Sequence, residues 1–317
     1  MKTSGFQYVY GPVPSRRLGR SLGIDLVPFK TCTYDCVYCQ LGRTTNKAIE
    51  RQEYVPVEDV VIELQEKLAA GDAPDYIGLA GSGEPTLNSA IGDLIHKIKG
   101  LTDIPVAVLT NGSLLWMSEV QDALMGADLV LPSLDAGDAR LFRYVNRPHE
   151  DISFEQMVDG IAAFTERFPG EVWLEVFLLA GVTGVPAEVE KIAVLTRKIR
   201  AARVQLNTVS RPPCEDFARA VPRRQLESFV RLFGVSADVI GEGPEGKSPT
   251  QRSGLAVDEE ILALLSRRPC CAEDIAAGLG LHVAEVTKAL PALLAARKIK
   301  ETRQDGRRFY LATGIQP

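Results

Sequence analysis

Two hydrophobic patterns alternate along the first 240 residues of this 317-residue chain. Short, nearly continuous apolar runs are typical of strands buried on both faces, and longer segments with apolar residues at helical spacing are typical of amphipathic helices. The predicted strands are residues 23–28, 76–80, 106–109, 128–131, 172–179 and 204–206, and the predicted helices are residues 57–70, 91–98, 117–125, 154–168, 185–201 and 223–233. Strict alternation of this kind predicts parallel strands joined by crossover helices.

The number of strand–helix units limits the choice of fold. A complete eight-unit barrel needs about 250 residues, whereas this segment holds six units in 240 residues. The pattern therefore predicts an α/β fold, either an open partial barrel or a doubly wound sheet. In both folds ligands bind at the carboxyl ends of the strands, so functional residues are expected there.

The pattern changes after residue 240. Residues 241–254 have the Gly, Pro and Ser content of a linker. Helices are predicted at 258–265, 272–278 and 283–296, and alternating segments at 299–302 and 308–311 flank Asp305-Gly306, a strong hairpin signal. Three helices and a hairpin predict a small C-terminal winged helix-turn-helix domain over residues 255–317, beside a first domain over residues 1–240. We expect it to fold alone, with few contacts across the linker.

Composition and charge narrow the class of protein. Apolar residues make up 45% of the chain and charged residues 24%, which are ordinary globular values. The chain has neither a long apolar run nor a signal peptide, so we expect a cytoplasmic protein without membrane contact. The net charge of −5 gives no general signal for nucleic acid. The predicted hairpin region is nevertheless basic, which favours nucleic acid there: Arg297, Lys298, Lys300, Arg303, Arg307 and Arg308.

Three of the six cysteines lie within eight residues. Cys32, Cys36 and Cys39 have the spacing C-x3-C-x2-C in residues 31–40, here called the cysteine loop. Thiolates hold iron–sulfur clusters, and three ligands leave one iron of a four-iron cluster open to substrate or cofactor. A structural zinc site needs a fourth Cys or His at short spacing, and all three histidines are remote in sequence. We expect the other three cysteines to lie outside the site: Cys214, Cys270 and Cys271.

Two motifs together resemble the radical S-adenosylmethionine (SAM) superfamily. The cysteine loop follows the first predicted strand and has Tyr38 in the aromatic position of C-x3-C-x-aromatic-C. Gly81-Ser82-Gly83-Glu84, here called the glycine loop, is similar to the GGEP motif of that family, with Ser82 replacing a glycine. The resemblance covers roughly residues 10–235 and implies a partial (β/α)6 TIM-like barrel. Residues 11–43 and 205–213 look closest to a subgroup related to the wyosine-base synthases, which modify a tRNA guanosine.

The resemblance also implies cofactors and a reaction. Cys32, Cys36 and Cys39 would hold a [4Fe-4S] cluster, with SAM chelated at the fourth iron. An electron donor such as flavodoxin or ferredoxin would drive reductive cleavage of SAM to methionine and a 5′-deoxyadenosyl radical. That radical would abstract hydrogen from a substrate.

Candidate cofactor-binding residues follow from position in the family pattern. Gly81, Ser82, Gly83 and Glu84 would contact the SAM ammonium. The other candidates are Tyr38 of the cysteine loop and polar residues inside or after predicted strands: Asn111, Ser133, Asp135, Glu175, Asn207 and Arg211. Each has a plain alternative as a turn cap or surface ion pair. We also expect Arg143 and Arg147 to face a substrate anion, and the arginine-rich residues 13–20 to form a solvated loop.

Several functions remain open at this point. The leading hypothesis is a radical SAM enzyme that acts on RNA or another macromolecule, bound by the winged helix. A radical SAM enzyme that modifies a peptide or protein is an alternative. Another is an iron–sulfur redox sensor that binds DNA, which would not need the glycine loop. A structural zinc module is disfavoured because a fourth ligand is missing.

Overall fold

The computed structural model describes residues 7–71, 73–234, 236–241 and 254–313, except the side chains of residues 14 and 254–256. Its strands are β1 (Val9–Ser15), β2 (Gly19–Ile24), β3 (Thr31–Cys32), β4 (Asn46–Lys47), β5 (Tyr76–Leu79), β6 (Val106–Leu109), β7 (Leu129–Leu131), β8 (Glu171–Leu178), β9 (Arg203–Thr208), β10 (Ala237–Val239), β11 (Ile299–Gln304) and β12 (Arg307–Ala312). Its helices are α1 (Val57–Ala69), α2 (Ile91–Leu101), α3 (Ser118–Leu124), α4 (Ala139–Val145), α5 (Phe154–Arg167), α6 (Pro186–Ile199), α7 (Arg223–Phe229), α8 (Gly254–Leu265), α9 (Ala272–Leu279) and α10 (Val283–Ala295).

One eight-stranded sheet organises the first 240 residues, in the order β1-β2-β5-β6-β7-β8-β9-β10. All neighbours from β2 to β10 pair in parallel, and β1 alone pairs antiparallel, with β2. The predicted α/β fold with a mostly parallel sheet is therefore confirmed. The sequence pattern missed β1, α4 and β10, which are short or only half-buried and so carry little periodicity.

The first parallel strand lies earlier than predicted. It was expected at residues 23–28, but β2 ends at Ile24 because its pairing with β5 stops where Ile24 meets Leu79. The next residue, Asp25, uses its side chain to bind the glycine loop. Residues 25–30 thus form the connection that carries the chain from β2 to the cysteines.

The two faces of the sheet have different roles. Val106 and Val108 of β6 pack into the main core with the helices, while Ala107 lies in a separate buried cluster with Leu129 and Leu131. Successive side chains of a strand point to opposite faces. We call the side of Ala107 the inner face, and Glu175 lies on it because its neighbours in β8 belong to the main core.

The turn between β1 and β2 enters the inner face. Leu18 is 3% exposed and belongs to the buried cluster with Ala107, Leu129 and Leu131. The expectation of a solvated loop over residues 13–20 is therefore wrong. Burial of Leu18 draws the arginines beside it towards the inner face, where they meet an acidic side chain.

The tail, residues 254–313 of the described chain, has its own hydrophobic cluster. Ile261, Ile275, Val286 and Leu290 belong to it, and Val13 of β1 packs against it. Since α9 lies against β1, which is an edge strand of the sheet, the tail covers an edge that would otherwise be open. The expectation of few contacts is therefore wrong, because a linker's composition carries no information about the surfaces it joins.

No helix within the described ranges is both long and apolar enough to cross a membrane.

Candidate cofactor site

Each thiol of the cysteine loop has a side-chain nitrogen donor nearby. The three donors come from separate parts of the chain: the residue before the loop, the end of β6 and the end of α4. The pairs are Lys30 Nζ to Cys39 Sγ at 3.3 Å, Asn111 Nδ2 to Cys32 Sγ at 3.6 Å and Asn146 Nδ2 to Cys36 Sγ at 3.6 Å. Hydrogen bonds to the sulfurs tune the potential of an iron–sulfur cluster, so this donor set suits thiolate ligands.

The electrostatics of the cysteines agree with a metal cluster. Burial, with the Glu84 carboxylate adding to it, raises the pKa of the Cys32 thiol to about 12. Burial likewise raises the pKa of Cys36 well above its usual value. Buried thiols of this kind become thiolates only beside a compensating positive charge, which bound iron would supply.

The three cysteines do not form a site for a single metal ion. In the part of the chain that the structure describes, no three His, Cys, Asp or Glu side chains converge on one metal ion. A four-iron cubane places each thiolate on a different iron, so three cysteines need not converge on a point. The residues therefore fit a cubane with three protein ligands.

The glycine loop docks against the segment that carries the cysteines. Ser82 N donates to Asp25 Oδ1 at 2.8 Å, and Ser82 O accepts from Lys30 N at 2.7 Å. Glu84 N donates to Thr31 O at 3.1 Å. Two main-chain hydrogen bonds and one to the Asp25 side chain thus hold the glycine loop directly beside the cysteine loop.

Two positions in this loop require glycine. A Cβ on Gly81 would lie 1.8 Å from Asp25 Oδ1, and one on Gly83 would lie 1.7 Å from the carbonyl oxygen of Thr31. No described residue donates a hydrogen bond to the carbonyls of Gly81 and Gly83. Two carbonyl acceptors are therefore available to a cationic ligand beside the cysteines.

The Glu84 side chain joins the ends of β5 and β6. Its carboxylate accepts hydrogen bonds from Thr86 N at 3.1 Å, Thr86 Oγ1 at 2.5 Å, Thr110 Oγ1 at 2.6 Å and Asn111 N at 2.7 Å. Burial raises the pKa of Glu84, and these donors offset only part of that effect. An ionised carboxylate has about four acceptor positions, so this side chain is occupied in holding the two strand ends together.

Asp135 lies after β7 and links three parts of the site. It accepts hydrogen bonds from the Tyr38 hydroxyl, from Asn146 Nδ2 at 2.7 Å and from Phe177 N at 3.2 Å. Burial raises the pKa of Asp135 to about 6 in spite of these donors. The Tyr38 ring stacks on Phe177, with centroids 4.0 Å apart. Tyr38 therefore connects the cysteine loop to the inner face.

Glu175 forms a largely buried ion pair that the sequence did not predict. It pairs with Arg17 and accepts a hydrogen bond from Asn207 Nδ2 at 2.7 Å. Although burial alone raises its pKa, Arg17 and Asn207 outweigh that effect and hold the pKa of Glu175 below its usual value. Ser133 lies beside Glu175 in a parallel β-bridge. A carboxylate in an apolar strand is costly to bury without a cation. Glu175 itself could therefore have indicated that a cationic side chain such as Arg17 lies beside it.

The remaining candidates are three arginines. Arg211 Nη1 contacts Gln40 Oε1 at 3.4 Å, at the end of the cysteine loop. Arg147 pairs with Glu215 at 2.7 Å and is thereby neutralised. Arg143 lines a separate cavity of about 370 Å³ beside the connection between α4 and α5, together with His149. Arg147 also lies 3.9 Å from Asp35 Oδ2 in the cysteine loop. That Arg143 and Arg147 meet a substrate anion stays a prediction.

The cysteine loop and the glycine loop both lie within the part of the chain that matches a known protein family. The family model described as the radical SAM superfamily matches residues 26–194, more than half of the chain, including the cysteine and glycine loops. The chain belongs to the radical SAM superfamily. Membership confirms the predicted enzyme class and cofactors, since enzymes of this superfamily use a [4Fe-4S] cluster and SAM and cleave SAM reductively.

Relatives place this radical SAM protein more closely. A UPF0026 protein of Methanocaldococcus jannaschii is 34% identical over 269 residues, and the match covers 82% of each chain, so the protein is also one of the UPF0026 proteins. GTPase Obg of Brachyspira hyodysenteriae is 39% identical over 302 residues, which are 94% of this chain and 44% of that relative. The chain thus spans less than half of that relative's length.

A solved structure supports the fold. The crystal structure of a radical SAM methyltransferase from Sphaerobacter thermophilus superimposes with a TM-score of 0.53 and 20% sequence identity, covering 69% of this chain and 65% of that one. At this identity the likeness concerns the fold alone.

Proposed function

We propose that this protein is a radical SAM enzyme that abstracts a hydrogen atom from an RNA substrate. The observation that supports SAM binding is the docking of the glycine loop beside the cysteines. The carbonyls of Gly81 and Gly83 accept no hydrogen bond from any described residue. An iron–sulfur sensor that only binds DNA has no need of such acceptors. The resemblance to the wyosine-base synthases makes tRNA the first RNA to test.

Cys32, Cys36 and Cys39 would hold the cluster. When bound, the [4Fe-4S] cluster supplies the electron that cleaves SAM and so makes the 5′-deoxyadenosyl radical. The carbonyls of Gly81 and Gly83 would accept hydrogen bonds from the SAM ammonium. The Glu84 side chain would act indirectly, by fixing the loop to β6, because its acceptor positions are already used.

The inner face would bind the rest of SAM and exclude water. Asp135 and Ser133 would hold the ribose or the methionine end, with Tyr38 oriented by Asp135. Asn111 would donate to the thiolate of Cys32. The last candidates, Glu175 and Asn207, would form a fixed polar wall with Arg17.

The tail would be the recognition module. We assign residues 1–240 to the catalytic domain, 241–254 to a linker that lies largely outside the described residues, and 255–317 to a winged helix domain. Support comes from α8–α10, from the separate hydrophobic cluster and from the hairpin of β11 and β12. Asp305 and Gly306 turn that hairpin with φ angles of 47° and 77°, as a type I′ turn requires.

RNA is favoured over a peptide by the charge of this hairpin. The side chains of Arg303, Arg307 and Arg308 are exposed, and Arg303 lies opposite Arg308 in the register. Glu301 Oε1 lies 3.1 Å from Arg308 Nε and 3.7 Å from Arg303 Nε, so it offsets part of this charge. A solvated basic hairpin presents its remaining charge to phosphates. We place the protein in the cytoplasm, with a flavodoxin or ferredoxin as electron donor.

Binding of unmodified tRNA at several salt concentrations tests the RNA proposal. The triple variant Arg303→Ala, Arg307→Ala and Arg308→Ala should bind more weakly, with the log–log salt slope reduced by no more than about three units. The matched control replaces three exposed arginines in or just after helices around the sheet: Arg197, Arg224 and Arg231. Binding by the control should equal that of wild type. If the wild-type protein binds no RNA even at low salt, a peptide or protein substrate takes the place of RNA.

A further inference from the structure

Three arginines from distant parts of the chain lie where the tail adjoins the sheet, since Arg211 reaches Asp274 of α9 and α9 packs against β1. Arg16 follows β1, Arg211 follows β9 and Arg268 follows α8. Burial lowers the pKa of Arg16 to about 10, and the charge of Arg211 adds to that effect. Burial also lowers the pKa of Arg211, with Arg268 adding to it. We call these three residues the arginine site.

The arginine site has too few negative partners. Within the described residues, neither Arg16 nor Arg268 makes an ion pair, and Arg16 makes no hydrogen bond through its side chain. Arg211 Nη2 lies 3.5 Å from Asp274 Oδ2, while Arg211 Nε is buried without a hydrogen-bond partner. Glu175, the other carboxylate near Arg16, is already paired with Arg17. Arg16 and Arg211 thus share one loosely placed carboxylate. In spite of burial, Cys270, Tyr10 and Asp274 together hold the pKa of Arg268 above its usual value.

Buried positive charge without a counter-charge is costly, and the cost disappears when an anion binds. Guanidinium groups donate in a planar fork that matches oxyanions, and a phosphate offers three strong acceptor oxygens where a carboxylate offers two. We propose that the arginine site binds a phosphate group of the substrate.

The position of the site fits the substrate of this enzyme. Arg211 contacts Gln40, which directly follows Cys39 in the cysteine loop. Arg16 is the neighbour in sequence of Arg17, which pairs with Glu175 on the inner face. A phosphate held here lies between the cysteine loop and the tail. This inference rests on the proposed function, and it gives the tail a second task, because Arg268 and Asp274 belong to it.

Calorimetric titration of the full-length, anaerobically reconstituted protein tests the proposal. The probes are inorganic phosphate, acetate and SAM, each in chloride buffers of equal ionic strength. Arg16→Met should raise the Kd for phosphate at least about tenfold, as expected for loss of a charge-assisted hydrogen bond. Arg16→Lys keeps the charge but not the fork, so it should lie between Arg16→Met and wild type. Arg224→Met, at an exposed arginine of α7, is the matched control.

A second variant, Asp274→Asn, should change phosphate affinity in the opposite direction. Asp274→Asn removes the carboxylate beside Arg211, which repels an incoming anion, so it should tighten phosphate binding severalfold. A merely structural role of Asp274 would weaken binding instead. A gain of phosphate affinity in Asp274→Asn cannot come from misfolding, so this result stands even if Arg16→Met folds poorly. Retention of the cluster absorbance shows whether Arg16→Met is folded.

The other outcomes each overturn the proposal. The site is not for phosphate if the wild-type protein ignores phosphate, if Arg16→Met binds it normally, or if acetate binds more tightly. If Arg16→Met weakens SAM as much as phosphate, the arginines hold the SAM carboxylate. The RNA-binding experiment tests the proposed function separately. If the protein binds RNA through the hairpin but does not bind phosphate, only the arginine site is rejected. If it binds phosphate but no RNA, only the RNA proposal is rejected.

Discussion

At the scale of single residues, the site is built from buried polar groups that satisfy one another. Asp135 binds Tyr38 and Asn146, and Glu175 binds Arg17 and Asn207. Removing one partner of a buried ion pair leaves the other charge without compensation. The pair of Arg17 and Glu175 is suited to measuring this loss of stability, because only 17% and 13% of their side chains are exposed to solvent.

Arg17→Met should lower the free energy of unfolding by about 3 kcal/mol near neutral pH, because Glu175 loses its cation. The double variant with Glu175→Gln should recover part of that loss. In wild type the pair stabilises the fold above the ordinary pKa of a glutamate, and this stability is lost as pH falls through the lowered pKa. In Arg17→Met, protonation of Glu175 removes its uncompensated charge, so a lower pH stabilises the fold of this variant.

Urea unfolding of anaerobic, reconstituted protein at pH 7 and pH 5 measures this difference. The gap between wild type and Arg17→Met should narrow at the lower pH. An equal gap at both values, or a double variant as unstable as the sum of the single variants, would contradict the ion-pair account.

At the scale of elements, close backbone contact between two loops positions the cofactors. Glu84 N bonds to Thr31 O, and the hydrogen atoms of Gly83 occupy the space where a side chain would collide with that same carbonyl. The sequence could predict both loops, because cysteine spacing and glycine content are local. It could not predict that Lys30 and Asn146 donate to the thiols, since folding alone brings Asn146 from α4 to Cys36.

Gly83→Ala should separate the two loops and weaken SAM binding at least about tenfold, with a loss of stability of about 1–3 kcal/mol from overpacking. The matched control is Gly100→Ala in α2, where an added Cβ has no neighbour within 4 Å. That variant should keep SAM binding and gain up to about 1 kcal/mol. Titration of SAM into both reconstituted variants decides the matter, and equal affinities would show that the contact at Gly83 is dispensable.

At the scale of the whole molecule, the tail reaches the glycine loop through two side chains. Arg267 pairs with Asp25 and lies over the Tyr10 ring at 4.1 Å, and Asp25 Oδ1 holds Ser82 N at 2.8 Å. The hydrophobic pattern predicted the elements of the tail because helices and a hairpin have local signals. It could not predict this docking, because ion pairs between distant segments leave no periodic trace in the sequence.

Arg267→Met should therefore weaken SAM binding by about three- to tenfold, because Asp25 loses its partner and holds Ser82 less firmly. It should also make the chain between sheet and tail easier to cleave in limited proteolysis. Lys288→Met, at an exposed lysine of α10, is the control and should change neither result. Unchanged SAM affinity in Arg267→Met would mean that the tail and the glycine loop act independently.

Cleavage of SAM by this protein depends on Cys32, Cys36 and Cys39 as the ligands of its cluster. The most direct measurement is the yield of 5′-deoxyadenosine from anaerobically reconstituted protein with about four irons per chain, after reduction with dithionite. Wild type should form it, and so should the variant that combines Cys214→Ser, Cys270→Ala and Cys271→Ser, while Cys36→Ala should form none. Absence of 5′-deoxyadenosine from wild type with an intact cluster, or its formation by Cys36→Ala, would contradict the account.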